Sequence, residues 1–469
     1  MNFNYTTIKE LATNNKGLTV NDLIALSRNN DPFYTGTQSD IEKGEWFKDL
    51  WGKLGYTTGV HLRRMHYAIF SQENSIKHTG TPYQNTEKDW SYLNEASKAA
   101  RYLGLVDLEN FVDRRNPEAL INRPYHDEFY QSPEEPTFTI DEIDSEINPV
   151  GLPELGMLSY LPAYPEYITD YFEAQQAIHL ELWCEKTTMN DLLLPLCEKY
   201  DVNLITGMGE LSITAAHKFI ERLNKADRNG QILYISDYDP SGYNMPSSIS
   251  RKLEYFYRNN YTSHKINLEP VVLNHNQIKR FNLPTKPVKS RSDGRKISKS
   301  WVGDVVELDA LEAIHPGEFS KIIEYKILYF YDESLASRCI DVSVDFENYL
   351  FDKSQDVYNN YTSQMVGLST KYNNIRGEWQ AIQEEYTKLN APLLKKIAEI
   401  NGKLEAIEDE HKTISNSILA DMESEHIELP DVPKTELKPY PKKQLFSSSR
   451  DYLNQLEFYK SRKLNGKGK

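Results

Sequence analysis

Hydrophobic and polar positions in the central part of the chain predict alternating strands and helices. From Ala177 onward, short apolar runs that suit buried strands are separated by longer segments with helical periodicity. The predicted strands cover residues 178–184, 202–206, 231–236 and 268–273, and the predicted helices between them cover residues 187–200, 211–226 and 243–258. Repeated strand–helix–strand units favour a mostly parallel sheet covered by helices, so the expected fold class of this part is α/β.

The N-terminal segment has the periodicity of three helices. Their apolar positions are Trp46, Leu50 and Leu54 in the first helix, Leu62, Met65 and Ile69 in the second, and Trp90, Leu93, Ser97 and Ala100 in the third. Gly104 is expected to end the third helix, and residues 105–112 alternate like a short strand. Three helices followed by a small β element is the order of a winged helix-turn-helix, which is a DNA-binding module.

The polar side of the third N-terminal helix is the candidate surface for reading DNA. Lys88, Ser91, Lys98 and Tyr102 are predicted to point away from the apolar stripe, where they would face a groove of double-stranded DNA. A helical bundle with a solvated outer face would show the same pattern. The pattern therefore permits DNA binding without requiring it.

The C-terminal part has heptad-like spacing on both sides of Pro392. Apolar residues alternate steps of three and four over residues 375–389 and again over residues 397–418. Because proline interrupts a helix and the register slips at this point, a helical hairpin and a kinked rod both fit the pattern. A Pro- and Lys-rich segment follows from Leu429, and it is expected to form a mobile basic tail.

These patterns divide the chain into five predicted regions. The connection between the N-terminal helices and the α/β part is rich in Pro, Asp and Glu and has the composition of a linker. The regions are a winged-helix domain at 1–120, an acidic Pro-rich linker at 121–170, an α/β domain at 171–345, a coiled-coil helical region at 346–428 and a basic tail at 429–469.

Composition excludes several classes of protein. The three cysteines are too few and too scattered for a disulfide framework or a four-cysteine zinc site. No apolar run approaches the roughly 20 residues that a membrane span requires, and the first seven residues lack the pattern of a secretory signal. We therefore expect a cytoplasmic protein with no membrane partner, associated with the nucleoid if it is prokaryotic.

The formal net charge of -15 argues against a protein that is basic throughout, as simple nucleic-acid binders are. The charge is unevenly distributed, however. Basic residues collect at Arg63 and Arg64, at Arg114 and Arg115, over residues 279–299 and beyond Lys434, whereas acidic residues collect over residues 127–146 and 405–428. Local basic patches can neutralise phosphates while acidic segments face solvent or a partner, although any single patch is also explained as a solvated surface.

Three carboxylates are expected at the carboxyl ends of predicted strands, where open α/β sheets bind ligands. Glu185 follows the first of these strands, and Asp237 and Asp239 follow the third. Alternation along an extended chain puts the two aspartates on the same side. Oxygen ligands with no nearby His or Cys favour Mg²⁺ over zinc, so these carboxylates are the candidate metal ligands. An ordinary turn and helix cap is the alternative explanation of the segment that follows Asp237.

The motifs at these strand ends resemble the Toprim domain of topoisomerases, bacterial primases and several nucleases. Three segments carry the resemblance: Glu185-Lys186, Gly207-Met208-Gly209 after the second strand, and Asp237-Tyr238-Asp239-Pro240-Ser241-Gly242 after the third. In detail they are most similar to the A subunit of type IIB topoisomerases (topoisomerase VI) and to the related meiotic double-strand-break transesterase. Residues 277–284 and 306–311 also resemble that family, and the resemblance extends over roughly residues 40–335.

The resemblance implies magnesium-dependent DNA cleavage by a homodimer. Glu185 would be a catalytic residue and would bind Mg²⁺ with Asp237 and Asp239, with Lys186 close to the DNA. In that family a tyrosine of the winged helix attacks a phosphodiester and stays covalently attached, and the metal comes from the partner subunit. The corresponding tyrosine here is Tyr67.

Residues near Tyr67 support and complicate this assignment. Arg63 has the spacing of the family's arginine, whereas His66 stands where the family usually has an aromatic residue. A phenol has a pKa of about 10, so attack at neutral pH needs a nearby base, cation or metal. Arg63 and Arg64 could stabilise both the phenolate and the scissile phosphate. The alternative is that Tyr67, one of 31 tyrosines, only contacts phosphate.

The leading hypothesis is therefore DNA cleavage through Tyr67 by a topoisomerase VI A-like protein. One alternative is a Toprim nuclease of a defence system or mobile element that hydrolyses DNA with water. Another is a non-catalytic DNA-binding or assembly protein. The family's A subunit lacks the heptad region and acts with an ATPase that this sequence does not contain, so a separate ATPase or other partner subunit fits the leading hypothesis.

Overall fold

The chain forms two compact units. Unit 1 comprises Met1–Phe129, Gln176–Glu333 and Thr435–Lys469, and unit 2 comprises Tyr130–Gln175 and Ser334–Lys434. The computed structural model describes residues 3–57, 59–72, 75–111, 118–122, 133–141, 165–168, 173–207, 212–288, 304–386, 393–435, 438–441 and 444–465.

Unit 1 combines an N-terminal group of helices with a helix-covered sheet. Its helices are α1 (Tyr5–Asn14), α2 (Gln38–Lys53), α3 (Leu62–Phe70), α4 (Glu87–Tyr102), α5 (Asn190–Lys199), α6 (Ile213–Ala226), α7 (Pro240–Arg258), α8 (His275–Phe281), α9 (Asp309–Ile314), α10 (Glu318–Phe330) and α14 (Tyr452–Asn465). Its strands are β3 (Ile178–Cys184), β4 (Asn203–Ile205), β5 (Asn229–Ile235), β6 (Ile266–Val272) and β7 (Phe446–Ser447).

Unit 2 consists of long helices and a small sheet. Its helices are α11 (Leu335–Asn359), α12 (Thr362–Tyr386) and α13 (Leu393–Ser424), and its strands are β1 (Thr137–Thr139) and β2 (Glu166–Ile168). The two strands pair in antiparallel orientation.

The sheet of unit 1 has the strand order β4-β3-β5-β6-β7. The first four of these strands are parallel, and β7 pairs with β6 in antiparallel orientation. The predicted mixed α/β fold with parallel strands is therefore confirmed, and each predicted strand end lies within two residues of the observed one. Predicted helix starts are less accurate, because a 3-10 turn (Thr187–Met189) precedes α5 and because α7 begins already at Pro240.

Burial on both faces explains why the central strands are largely apolar. Leu180 and Leu182 of β3 belong to the core that includes residues of α5 and α10, whereas Trp183 belongs to the core that includes residues of α6 and α7. A parallel sheet covered by helices leaves neither face to solvent, so the polar residues of β3, His179 and Glu181, are buried as well and lie 2.9 Å apart in a hydrogen bond.

Helices α2, α3 and α4 share a separate core. Phe47, Met65, Ile69 and Leu93 are fully buried in it. The apolar stripe predicted for α2 is displaced by one position, because Phe47 and Trp51 are its buried residues and Trp46, Leu50 and Leu54 are only partly buried at the margin.

The strand predicted over residues 105–112 is wrong for residues 105–111. This segment contains a 3-10 turn, Leu108–Asn110, and one isolated β-bridge between Val60 and Phe111. The alternation has another cause: Val106 and Phe111 pack into the core of the N-terminal helices, whereas Leu108 packs into the core of the sheet. Residue 112, Arg114 and Arg115 lie outside the described residues.

The expectation of a mobile C-terminal tail is also wrong for residues 444–465. Phe446 lies in β7 and is completely buried, and Leu456 and Tyr459 of α14 are buried in the same core as β5 and β6. The Tyr452 hydroxyl donates to the Leu23 carbonyl at 2.5 Å, which ties α14 to the N-terminal segment. Residues 444–465 therefore form part of the core of unit 1.

Unit 2 resolves the choice between a helical hairpin and a kinked rod. Helices α12 and α13 pack against each other in antiparallel orientation. Three ion pairs between them show this, because the partners on α13 come earlier in the sequence as those on α12 come later. The pairs are Lys371 with Glu410, Glu378 with Lys403 and Glu385 with Lys396. The predicted heptad positions from Ile397 to Ile418 are buried between the helices. Pro392 lies outside the described residues.

The region predicted as a linker also contributes to unit 2. Phe138 of β1 is buried in the same core as the helical hairpin, and the Tyr167 hydroxyl of β2 donates to the Glu347 carbonyl at 2.9 Å. The helical region begins at Leu335, earlier than predicted. Among the described helices, none is both long enough and apolar enough to cross a membrane.

Candidate functional site

The three predicted carboxylates follow two neighbouring strands at the carboxyl edge of the sheet. Cys184 of β3 is in register with Ile235 of β5, and the Glu185 amide donates to the Ile235 carbonyl at 3.0 Å. Because β3 lies between β4 and β5, Glu185 is brought beside the segment of Asp237 and Asp239. The sheet order thus joins residues that are about fifty positions apart in the sequence.

Glu185 has a buried carboxylate oxygen with no hydrogen-bond partner. Its Oε2 atom is shielded from solvent and receives no hydrogen bond within the described part of the chain. Burial, together with the nearby charges of Asp237 and Asp239, raises the pKa of the Glu185 carboxyl to about 7. An unpaired buried acceptor is costly, so this oxygen is suited to a proton or a cation.

Asp237 is held by two donors. Its Oδ1 accepts from the Leu308 amide at 2.7 Å and lies 3.1 Å from the Lys186 ammonium nitrogen. Burial still raises the pKa of the Asp237 carboxyl above its ordinary value, because desolvation outweighs these two favourable contacts. The position of this carboxylate is therefore well determined, and its negative charge is partly neutralised by Lys186.

Asp239 caps helix α7. Its Oδ1 accepts from the Gly242 amide at 2.6 Å, so the turn-and-cap explanation of this segment is correct for one carboxylate oxygen. Gly242 itself approaches the Asp237 backbone closely, since an added Cβ would lie 2.3 Å from the Asp237 carbonyl oxygen. Glycine is therefore needed here for the two aspartates to keep this arrangement.

The glycine turn after β4 lies close to the segment that follows β3. Gly207 has a positive φ of 73°, and an added Cβ would lie 2.7 Å from Cγ2 of Thr187. Ser212 caps α6 by accepting from the Ala215 amide at 3.1 Å. Residues 208–211, which include Met208 and Gly209 of the predicted motif, lie outside the described residues.

Glu307 and Asp309 are further site residues that the predicted site did not include. The Lys186 ammonium lies 2.9 Å from Asp309 Oδ2 and 3.6 Å from Glu307 Oε2, in addition to its contact with Asp237. These acidic groups raise the pKa of Lys186 above its usual range although partial burial opposes this, and Lys186 keeps the pKa of Asp309 low. Both residues lie in the segment 306–311, whose sequence resembles that of the type IIB topoisomerases.

The segment of Glu307 and Asp309 is fixed by backbone pairing. Tyr238 and Val306 exchange two backbone hydrogen bonds of 2.9 and 3.0 Å, which extends the site beyond the end of β5. Acidic residues two positions apart directly after this bridge are the sequence signal that could have identified them. Sequence separation of about seventy residues from Asp237 made the pairing unpredictable.

The arrangement of donors fits a cation only in part. Within the described ranges, no group of three or more His, Cys, Asp and Glu side chains is placed so that it could hold a metal ion. Lys186 pairs with Asp237, and Asp239 caps a helix. The chemistry of the donors nevertheless suits Mg²⁺, since all three are carboxylates and Glu185 offers a buried, unpaired oxygen.

Tyr67 and its two neighbouring arginines are exposed on α3. The Tyr67 side chain is 52% exposed, and its ring contacts His66 and Phe70. Arg63 and Arg64 are exposed as well, and the Arg63 guanidinium lies over the Trp90 ring at 5.7 Å. Among the described contacts, none joins Tyr67 to the carboxylates of Glu185, Asp237 and Asp239 in the same chain.

His66 provides an aromatic ring at the position before Tyr67. It is buried among Tyr67, Phe70, Tyr83 and Trp90, and its ring nitrogens lie 2.6 Å from the Tyr83 hydroxyl and 3.1 Å from Asn85 Oδ1. The imidazole ring of His66 therefore makes the kind of ring contacts that an aromatic residue would make at this position.

The predicted DNA-reading face of α4 is only partly present. Lys88 and Ser91 are exposed as predicted. Lys98 is half-buried and its ammonium donates to the Asn29 carbonyl, and burial lowers its pKa. Tyr102 is buried against Tyr255, so its predicted exposure is wrong. The reason is tertiary: the C-terminal end of α4 packs against α7 of the sheet domain.

Comparisons with known proteins found neither a family model nor a curated protein that matches this chain.

Proposed function

We propose that this protein cleaves double-stranded DNA in a Mg²⁺-dependent reaction at a Toprim-type site formed by Glu185, Asp237 and Asp239. The observation that carries the proposal is the buried, unpaired Oε2 of Glu185 beside two aspartates at the carboxyl edge of a parallel sheet. Mutual repulsion of buried carboxylates is relieved by a divalent cation, which explains why such a costly arrangement would be kept.

The proposed nucleophile is Tyr67, presented by the group of helices α2, α3 and α4. Its phenolic oxygen would form a bond to phosphorus while the bond to one deoxyribose oxygen breaks, so the leaving oxygen takes up a proton and the protein stays attached to the DNA end. Arg63 and Arg64 would hold the phosphate. Bound Mg²⁺ would supply positive charge at the phosphate oxygens.

A homodimer would bring these parts together. The contacts of Tyr67 within one chain are with its own helix, and the resemblance to the type IIB family places the tyrosine of one subunit at the metal site of the other. The proposed roles of the remaining residues follow from exposure: Lys88 is available to DNA, whereas Lys98 is engaged with the Asn29 carbonyl and Lys186 with carboxylates.

Hydrolysis by water is the second candidate. Among the described residues, no hydrogen bond is found for the Tyr67 hydroxyl, so this part of the chain holds no base against it. An unactivated phenol is a poor nucleophile at neutral pH, whereas water at a metal site is readily activated. Tyr67 would then contact phosphate without chemistry.

A cleavage assay on supercoiled DNA separates these functions. The protein is incubated with DNA and Mg²⁺ or with a chelator, and products are resolved before and after protease digestion. Protein attached to cut ends, lost in Tyr67→Phe but kept in the exposed control Tyr325→Phe, supports transesterification. Free ends that persist in Tyr67→Phe support hydrolysis.

The metal site is tested in the same assay. Asp237→Asn is expected to abolish cleavage by either route, whereas Asp49→Asn, which changes an exposed aspartate of α2, should leave it unchanged. Cleavage that survives Asp237→Asn would refute the proposed site. No cleavage by the wild-type protein in any metal would favour a non-catalytic DNA-binding or assembly role.

A further inference from the structure

Helix α11 of unit 2 has a second apolar surface beside the one that it buries. Its buried side follows a heptad-like spacing through Leu335, Phe346, Leu350 and Val357. Three other apolar residues are exposed: Ile340 at 59%, Val344 at 43% and Phe351 at 49%. Steps of four and seven residues put these three on one face of a helix, where they form what we call the α11 stripe.

Acidic residues border the α11 stripe along one side. Asp341, Asp345, Asp352 and Asp356 are all exposed, and helical geometry puts them next to the stripe as two pairs spaced by four residues. In the described part of unit 2, none of the four forms a salt bridge, and the nearby Lys353 pairs with Glu425. We call these residues the acidic flank.

The combination is unfavourable for an isolated helix. Like charges four residues apart on a helix repel each other, and the exposure of large apolar side chains to water is unfavourable. Both costs would be removed by one occupant that covers the stripe and pairs with the flank. The stripe and the flank therefore indicate the same binding surface independently.

We propose that the α11 stripe and the acidic flank bind an amphipathic helix of a partner protein, whose apolar side is bordered by lysine and arginine. Charge complementarity selects this occupant. A second copy of α11 would bring four aspartates against four more, and nucleic acid would be repelled by the same charges. An amphipathic helix binds through apolar side chains that are about one and two helical turns apart, and Ile340, Val344 and Phe351 offer apolar contacts at the same spacings on α11.

A pair of synthetic peptides tests the chemistry of the occupant. The probe is a fluorescein-labelled, 18-residue helix with a leucine stripe bordered by lysines, and its twin has glutamates in place of the lysines. Fluorescence anisotropy against the full-length chain is expected to show saturable binding of the lysine peptide. Binding of the glutamate twin should be at least tenfold weaker.

Matched variants locate the binding site. Phe351→Ser should weaken lysine-peptide binding at least tenfold, whereas Val366→Ser, which removes an exposed apolar side chain of α12, should not. The double change Asp345→Lys with Asp352→Lys should abolish binding. Glu384→Lys with Glu399→Lys makes the same change in net charge at exposed positions of α12 and α13 and should cause only a small loss.

Three outcomes would overturn the proposal. Equal binding of both peptides would show a general hydrophobic patch, and equal weakening by both charge-reversal pairs would show attraction to overall negative charge. A dimer in sedimentation that becomes monomeric in Phe351→Ser would show that a second copy covers this surface. All of these variants alter exposed side chains, so folding is checked by an unchanged circular dichroism spectrum and melting temperature.

Discussion

The ammonium group of Lys186 lies 3.1 Å from Oδ1 of Asp237, so a fixed positive charge neutralises one of the three proposed metal ligands. The same ammonium contacts Asp309 and Glu307, which gives it an alternative partner when a cation approaches Asp237. At the proposed metal site, Lys186 would therefore compete with a metal ion for Asp237, and the two acidic residues of the 306–311 segment would limit how strongly it competes.

Removing this competitor should strengthen metal binding. Lys186→Met is expected to lower the apparent dissociation constant for Mn²⁺ by about tenfold, equivalent to about 1.4 kcal/mol. The measurement is the electron paramagnetic resonance signal of free Mn²⁺ during titration of the protein. Lys199→Met removes a lysine that pairs with Glu324 away from the site and should leave the constant unchanged. Unchanged or weaker binding in Lys186→Met would contradict the competition.

Glu185 should make the protein without divalent cations less stable as pH rises. Its pKa is raised in the folded protein to about 7, so the folded state binds more protons than the unfolded state between about pH 4.5 and pH 7. Stability is then lost as pH increases through this window. With allowance for solvent screening of a partly exposed group, Glu185→Gln should stabilise the chelator-treated protein by about 1–2 kcal/mol at pH 8.

Urea unfolding at pH 5 and pH 8 measures this effect. The difference between Glu185→Gln and wild type should be close to zero at pH 5 and appear at pH 8. Glu221→Gln provides a control on α6, because neither carboxylate oxygen of Glu221 is among the described buried atoms that lack a hydrogen-bond partner. A stabilisation that is the same at both pH values would show that ionisation of Glu185 is not its cause.

Gly242 should be required for the geometry of the two aspartates. In Gly242→Ala the new Cβ would lie 2.3 Å from the Asp237 carbonyl oxygen, so the backbone must move. We expect a destabilisation of about 1–3 kcal/mol and loss of Mn²⁺ binding. Gly52→Ala is the control in helix α2, because nothing lies within 4 Å of its added Cβ. Normal metal binding by Gly242→Ala would show that the site tolerates a displaced strand end.

The C-terminal segment should be essential for the stability of unit 1. Phe446→Ala removes a completely buried side chain from β7 and should cost about 3–5 kcal/mol in the free energy of unfolding. Leu429→Ala, at a position that is 43% exposed, should change it by less than about 0.5 kcal/mol. Both values come from urea unfolding monitored by tryptophan fluorescence. If both substitutions changed the free energy of unfolding by the same small amount, the interpretation of this segment as a mobile tail would be correct after all.

The antiparallel packing of α12 and α13 can be tested by chemical cross-linking. Lys371 and Glu410 form an ion pair across the helices, so cysteines at both positions should be joined within one chain by a short bismaleimide, which spans the two side chains that it replaces. The natural cysteines Cys184, Cys197 and Cys339 are buried, which keeps the background low. Lys371→Cys with Glu399→Cys should not cross-link, because these positions lie at different heights on the hairpin. Migration on a non-reducing gel distinguishes the two pairs.

Local sequence determined the α/β part of this protein almost completely. Largely apolar segments such as Ile178–Cys184 form strands with both faces buried, and the ends of these strands place Glu185 and Asp237 at one edge of a sheet. The heptad spacing from Ile397 to Ile418 predicted a buried helical seam for the same kind of reason. In each case the signal is a short-range period that depends only on which side of an element is buried.

Tertiary structure decided what depends on residues that are distant in the sequence. The partners of Lys186 in the 306–311 segment, the burial of Tyr102 against Tyr255 and the insertion of Phe446 beside β6 all join positions more than a hundred residues apart. The strand predicted after Gly104 failed because its alternating residues pack into two different cores. A periodic pattern shows that side chains are buried, but only the fold determines what they are buried against.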